Sequence, residues 1–471
     1  MSDRTLSTML LQYMLWVILM FSSAYAFSQQ WHTSSSGPGD FWLDDMTIDS
    51  QGAIYTAGYF SGLEILSTDS SQILLPAVDD YDGVLVKHDE FGNYLWSITL
   101  QGQGHQGVRG IDVNSTDEVV ISGRIEDTVD FDMSNGEHYI SSQGATSYIA
   151  SYASDRDLLW AKAFHASGLD CHIHDLIIDS QDNVLITGSF SGSMDADPDS
   201  GVVQLTALGQ SDGFIIKLDR DGEFIWAKTF QGPSNVLSRD LLIDADGNII
   251  ISGTFNGQAD LDTSEDYAVV ISEGDVDIFI CKLDQAGNTL WSGSIGGTGT
   301  ERPYELAMDS EQSIYLSGMF GDACDMDMGD GIHLLHSTGN MDAMLIKMDM
   351  DGNFQWAHSL GGSLVDIGHA VKVDMNDRII WAGQYWGSVD MEVGIEEHYQ
   401  SSLDVMDFFI LEFDTEGNQT ATMTQGGMAT EMYPLITLTQ DEDLLFAGSF
   451  SGNCDTDPSS SFFPSEASGY D

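Results

Sequence analysis

Leu241-Leu242-Ile243-Asp244-Ala245-Asp246-Gly247-Asn248-Ile249-Ile250-Ile251-Ser252-Gly253-Thr254-Phe255 holds two short apolar runs around a turn. The runs, Leu241 to Asp244 and Ile249 to Phe255, are too short for helices and rich in Ile and Leu, so they read as strands. Gly or Asn in the turn supplies the positive φ that closes a hairpin. The stretch is one copy of many: Gly58, Gly123, Gly188, Gly253, Gly318, Gly383 and Gly448 stand 65 residues apart each time. A unit copied at that period makes this a repeat protein. A residue present in every copy serves what every copy needs, which is folding, so function is sought where the copies differ.

Two more runs complete the fourth unit, Ile278 to Asp284 and Thr289 to Ile295, joined by Asp284-Gln285-Ala286-Gly287-Asn288. Each unit is therefore expected to be a four-stranded antiparallel meander. Its third strand, as in Phe214-Ile215-Ile216-Lys217-Leu218, is apolar on both faces. Sheets stacked radially cover one another on both sides, and closing the circle protects their edges. A linear β-solenoid has shorter coils and no paired hairpins. The expected fold is thus all-β, a seven-bladed β-propeller of 65-residue four-stranded repeats closed by an N-terminal strand.

The closure has its own markers. Trp96, Trp226, Trp291 and Trp356 fall on the fourth strand, with Trp160 shifted by one, and Trp31 lies in register before Trp96. Trp31 reads as a fourth strand that completes the blade begun around Gly448. The third strand of that blade is expected to be missing. Because an unpaired gap would leave backbone groups unsatisfied, truncation is preferred over a three-stranded blade.

Residues 1–26 read as a signal peptide, with Arg4, an apolar run from Met9 to Phe21 and Ala24-Tyr25-Ala26 as an A-x-A cleavage site. Residues 27–471 form the propeller. A single transmembrane anchor is the alternative, but the run is shorter than the roughly 20 residues a spanning helix needs. No later segment is apolar enough to span, so no membrane span is expected after cleavage.

The chain has 75 Asp and Glu against 15 Lys and Arg, a formal charge of -60. Such a surface repels nucleic acid and anionic membranes and suits divalent or cationic partners. With 42% hydrophobic residues it is not a disordered polyacid. The four cysteines show no CxxC spacing and read as buried free thiols rather than a disulfide framework or zinc site.

The third unit carries Gly188-Ser189-Phe190-Ser191-Gly192, Asp195-Ala196-Asp197-Pro198, Asp212-Gly213-Phe214-Ile215-Ile216-Lys217-Leu218-Asp219 and Phe224-Ile225-Trp226-Ala227. This pattern resembles the SBBP-type seven-bladed β-propeller repeat of secreted bacterial proteins, common in Bacteroidota. The resemblance covers essentially all of the mature chain. It implies an exported propeller and no catalytic residues.

Two constellations carry chemistry. Paired acids follow the repeated glycine in six units: Asp130/Asp132, Asp195/Asp197 with Asp199 nearby, Asp260/Asp262, Asp325/Asp327, Asp390/Glu392 and Asp455/Asp457; the first unit has Ile65 and Ser67. Carboxylates at i and i+2 in a loop converge on a hard cation, so these are the metal candidates, for Ca2+. Equally, they cap turns by accepting backbone N–H groups. Fourteen residues before each glycine runs a variable row, Asp44, Arg109, His174, Arg239, Tyr304, His369 and Pro434, beside Asp45, Gly110, Asp175, Asp240, Glu305, Ala370 and Leu435. Both rows belong where the chain enters the innermost strand, at the mouth of the central channel. Because the repeat does not dictate them, Arg109, His174, Arg239, Tyr304, His369, Asp175, Asp240 and Glu305 are the ligand-binding candidates.

His172 and His174 alternate on one strand, but no third metal ligand accompanies them. Lys87, Lys217, Lys282 and Lys347 are expected to pair with carboxylates inside the fold. No G-x-S-x-G elbow occurs, and no catalytic residue is assigned. The expected protein is a secreted or cell-surface binding or structural module, calcium-stabilised, that meets an extracellular protein or polysaccharide as a monomer or as part of a longer chain. The alternative is an extracellular polysaccharide-active enzyme at the channel mouth, around Arg109, His174, Arg239 and His369.

Overall fold

Asp244 makes the first hairpin of its unit. Its Oδ1 accepts the backbone N–H groups of Asp246 and Asn248, at 2.9 and 2.8 Å, while Gly247 takes φ 78°. In this computed structural model the turn folds Val236–Ile243 antiparallel onto Ile249–Phe255, which pairs with Asp277–Leu283 and then with Thr289–Gly297. The structure describes residues 14–21, 29–36, 40–67, 72–134, 136–142, 146–264, 267–393, 398–402, 406–425, 431–451, 453–455 and 464–466.

The chain is all-β among the described residues, and six units each build such a four-stranded sheet, a propeller blade, in the order of the sequence. The third strand is buried along its whole length in these blades, as in Asp212–Leu218. The apolar core lies between neighbouring sheets: Tyr55, Leu85 and Ile98 of the first pack with Val119, Ile121 and Tyr148 of the second. Innermost strands touch their neighbours in succession, and Glu431–Leu438 lies against both Ile367–Val373 and Phe41–Ile48.

The remaining strands depart from expectation. Glu431–Leu438 and Leu444–Ser451 begin a seventh sheet, but its third place is not vacant. Met14–Phe21 fills it, antiparallel to Leu444–Ser451, and Gln29–Ser36, which carries Trp31, pairs next. The physical reason is the apolar run itself, since eight such residues suit a strand as well as a leader. Complete blades made from one contiguous unit therefore number six among the described residues.

The lysines behave as expected, each within its own blade. Lys87 pairs with Asp49, Lys217 with Asp179, Lys282 with Asp244 and Lys347 with Asp309, at 2.9, 2.8, 2.8 and 3.2 Å. Where Ser151 stands in the lysine's place in the second blade, opposite Trp160, Asn114 replaces the aspartate. In the sixth blade Glu412 stands in that place, and Arg378 bridges it to Asp374. Tryptophans link the blades: the indole N–H groups of Trp96, Trp160, Trp291 and Trp356 donate to Ser154, Arg220, Met350 and Thr415 carbonyls of the next blade. Trp160 keeps this role despite its one-residue shift. Cys171, Cys281 and Cys324 are buried free thiols.

Candidate functional site

The repeated glycine and the variable row are two halves of one device. In the third blade Ile173 pairs with Gly188, yet the next pair is Asp175 with Thr187, so His174 is an extra residue, a β-bulge. The register slips in the same way between Leu43 and Asp45, Ser238 and Asp240, Pro303 and Glu305, and Gly368 and Ala370. A bulge re-aims side chains, here turning two successive residues toward the axis. It also drives its carbonyl against the partner strand: a Cβ at Gly188 would lie 1.9 Å from the His172 oxygen, and one at Gly58 1.9 Å from the Trp42 oxygen. The glycine is invariant along the chain because the bulge needs it.

The bulges gather residues from seven innermost strands around one axial cavity of about 270 Å3. Arg109, His174, Arg239, Tyr304, His369, Asp175, Asp240 and Glu305 all line it, with Asp44, Asp45 and Lys372. Thus all eight ligand candidates meet in one place.

Beneath the mouth lies a ring of carboxylates that stitches blade to blade. Asp45, Asp112, Asp175, Asp240 and Glu305 each accept a backbone N–H from the following inner strand, from Ile111, Ile178, Leu241, Leu306 and Val371, at 2.7 to 2.9 Å. Lys372 is their counter-ion, 2.6 Å from Glu305, with a third of its side chain still facing the channel. The fields of Glu305, Asp45 and Asp240 outweigh its burial and hold its pKa up at about 12. Burial pushes Asp45 up to about 7 and Asp112 to about 6, and burial with carboxylate neighbours drives Asp175 and Asp240 well above the usual range.

Asp112 and Lys372 were not among the sequence candidates. Both occupy the register place filled elsewhere by Thr47, Ile177, Leu242, Ala307 and Thr437. Two charged residues at an otherwise uncharged position were the available signal. Asp112 compensates for Gly110, which leaves the second blade without an acid in the expected row.

The mouth is differently charged. Burial, aided by Arg239, lowers His174 to about 3, and burial lowers His369 to about 4, so both rings are neutral. Positive charge at the mouth therefore comes from the arginines. Arg109 reaches Asp44 at 4.0 Å. Arg239 has no ion pair among the described residues, and its Nε is buried without a hydrogen-bond partner. Burial and the Arg302 charge lower its pKa. His172 pairs with Asp170 at 2.7 Å, and its ring centroid lies 6.0 Å from that of His174.

The acid pairs lie in the loops between second and third strands, on the face where the inner strands begin. Their first members are committed to the backbone. Asp195 Oδ1 accepts from Asp197 and Val203 N–H, and Asp130, Asp260, Asp325 and Asp390 repeat the arrangement. Asp132, Asp197, Asp262 and Asp327 each cap the residue two further on, and Asp199 pairs with Lys162. Glu392, second in the sixth blade's pair, donates its own backbone N–H to Asp390 Oδ1 at 3.2 Å. Among the described residues no group of three His, Cys, Asp or Glu is placed to hold a metal ion. The first carboxylate of each described pair, Asp390 beside Glu392 included, is thus bonded to two backbone N–H groups, the turn-capping arrangement. Asp455 lies in the short strand Asn453–Asp455, and Asp457 lies outside the described residues.

Blades, bulges and axial cavity together define a β-propeller repeat protein. No protein-family model matches the chain. It is 23% identical over 485 aligned residues to an uncharacterized WD repeat-containing protein, L264, of Acanthamoeba polyphaga mimivirus, covering 86% of this chain and 35% of that one. Over 201 residues it is 24% identical to the regulatory protein FlaEY of Caulobacter vibrioides, covering 42% and 20%. The chain thus spans about a third or less of these relatives' lengths. A Bacteroides caccae protein of unknown function has a solved structure with TM-score 0.36 and 8% identity, covering 73% of this chain and 93% of that one. No helix among the described residues is long and apolar enough to cross a membrane.

Proposed function

We propose that the chain is an exported seven-bladed β-propeller of the SBBP type that acts as a non-enzymatic binding module, with its ligand seated in the axial cavity. The observation that carries this reading is the bulge row. The fold dictates a bulge in the inner strand but not its side chain, and the bulge side chains Arg109, His174, Arg239, Tyr304 and His369 converge on one cavity. Sites of this kind sit where a rigid scaffold presents variable residues. The ligand belongs to an extracellular saccharide or protein.

Export rests on the Ala24-Tyr25-Ala26 site. Cleavage there removes Met14–Phe21 and keeps Gln29–Ser36, so the leader and the third strand of the seventh sheet are exclusive roles for one segment. Intact mass of the exported protein decides between them: a mature start at Phe27 supports the leader, and a retained N-terminus overturns it. Calcium stabilisation rests on the acid pairs alone.

A screen of extracellular polysaccharides and surface proteins, with and without calcium, tests the module. Saturable binding without product is expected. Product formation would replace the module with an enzyme, and a melting temperature unchanged by calcium would remove the metal.

A further inference from the structure

We propose that the cavity recognises an acidic sugar unit, a single carboxylate on a neutral saccharide, with the carboxylate on Arg239. The inference rests on the reading of the cavity as a binding site and adds the class of ligand.

Arg239 is the first ground. In a chain with five acids for every base, 75 against 15, a guanidinium at the cavity wall has no acid within ion-pair distance among the described residues. Its buried Nε has no partner. A buried cation lacking a counter-charge is costly, and a guanidinium presents planar paired donors that match a carboxylate. Across the cavity Arg109 reaches its acid, Asp44, only at 4.0 Å, and a buried Asp44 Oδ2 has no hydrogen bond. The mouth is thus short of one anion.

The second ground is the surface beside Arg109. Its guanidinium lies 6.0 Å from the Tyr59 ring, Trp42 stacks on Tyr59 at 6.2 Å, and His105 packs on both Tyr59 and Tyr81 at 5.1 and 5.0 Å. These half-buried rings form an aromatic rim between the first and second blades, suited to the apolar face of a sugar ring. Hydroxyls meet Tyr304, neutral His174 and the Glu305 carboxylate.

The third ground limits the ligand. A charge of -60, with acid loops on the same face, repels an extended polyanion. One carboxylate on a neutral body escapes that repulsion, and a cavity of about 270 Å3 takes a group the size of a single sugar.

The test is calorimetric titration with glucuronate and galacturonate against their uncharged methyl esters. At least one acid is expected to bind tenfold or more tightly than its ester. Arg239→Gln should abolish that preference, and Arg239→Lys, which keeps the charge without the paired donors, should keep only part of it, with melting temperatures confirming that both variants fold. Equal binding of acid and ester, or a preference that survives Arg239→Gln, overturns the carboxylate assignment and leaves the binding module standing. Binding of neutral saccharides or proteins with none of the uronates overturns the inference alone. Absence of any ligand across the wider panel overturns both.

Discussion

Two rings of carboxylates run round this propeller, and they work in opposite ways. In the turn ring, Asp49, Asp179, Asp244 and Asp309 recur at one register, and each meets a lysine of its own blade. In the channel ring, Asp45, Asp112, Asp175, Asp240 and Glu305 vary in identity and place, and each reaches into the next blade. Burial raises Asp244, but its bonds to Lys282 and Asn248 outweigh it and its pKa falls; at Asp45 and Asp112 of the channel ring burial wins and the pKa values rise. The difference teaches that a repeated residue is matched locally, whereas an unrepeated one is matched by whatever the circle brings to it.

The largest effect is expected where the turn ring is broken. Lys282 and Asp244 are almost wholly buried, their side chains 4% and 0% exposed. Lys282→Ala leaves Asp244 charged with no counter-ion, a loss of about 3–5 kcal/mol by denaturant unfolding. The double change Lys282→Ser with Asp244→Asn copies the residues that stand at these two places in the second blade, Ser151 and Asn114, and should recover most of it. A single variant as stable as the double would show that the pair is replaceable at no cost.

Gly188→Ala strikes the link between the rings. The added methyl would sit 1.9 Å from the His172 carbonyl and 2.9 Å from the Phe214 ring. The bulge must shift or the strands part, at about 1–3 kcal/mol, the usual range for overpacking. Because the bulge aims His174 and Asp175, ligand affinity should fall together with melting temperature. A fall in stability with affinity intact would separate the glycine from the site.

What the sequence revealed follows the same division. The period of Gly58 through Gly448, the turn aspartates, the paired lysines and the tryptophans were legible because each blade repeats the same local physics. The row at Arg109, His174 and Arg239 was legible only as a position, since spacing marks where a bulge falls but not what it does. Asp112 and Lys372 escaped because their partners lie in other blades, and no local pattern encodes Glu305 beside Lys372. The acid pairs were legible only as a position: two carboxylates at i and i+2 describe a cation loop and a capped turn equally well, and the accepted backbone N–H groups show the turn. Met14–Phe21 is the sharpest ambiguity, because an apolar run carries no mark separating a leader from a strand.

The smallest effect sharpens the comparison most. A carboxyl whose pKa is raised in the fold holds a proton that the unfolded chain releases between about pH 4 and 7. Asp45, with an ordinary value of 3.8 and about 7 in the channel, therefore favours the folded state at the acid end of that window, and its contribution fades as pH climbs through 7. Glu301, raised to about 8 chiefly by burial, adds to the same slope. Asp179 and Asp244 of the turn ring act in the opposite sense: their pKa values are lowered, so their contribution is full above the unfolded value and is lost only as pH falls below about 4. The melting temperature should thus peak at about pH 4, with the alkaline slope belonging to the raised carboxyls and the acid slope to the turns. Asp45→Asn keeps an oxygen for the Ile111 N–H and removes the titration, so it should flatten the alkaline slope by about 1 kcal/mol between about pH 6 and 7 and leave the acid slope unchanged. Equal flattening of both slopes would mean that the two rings are not independent.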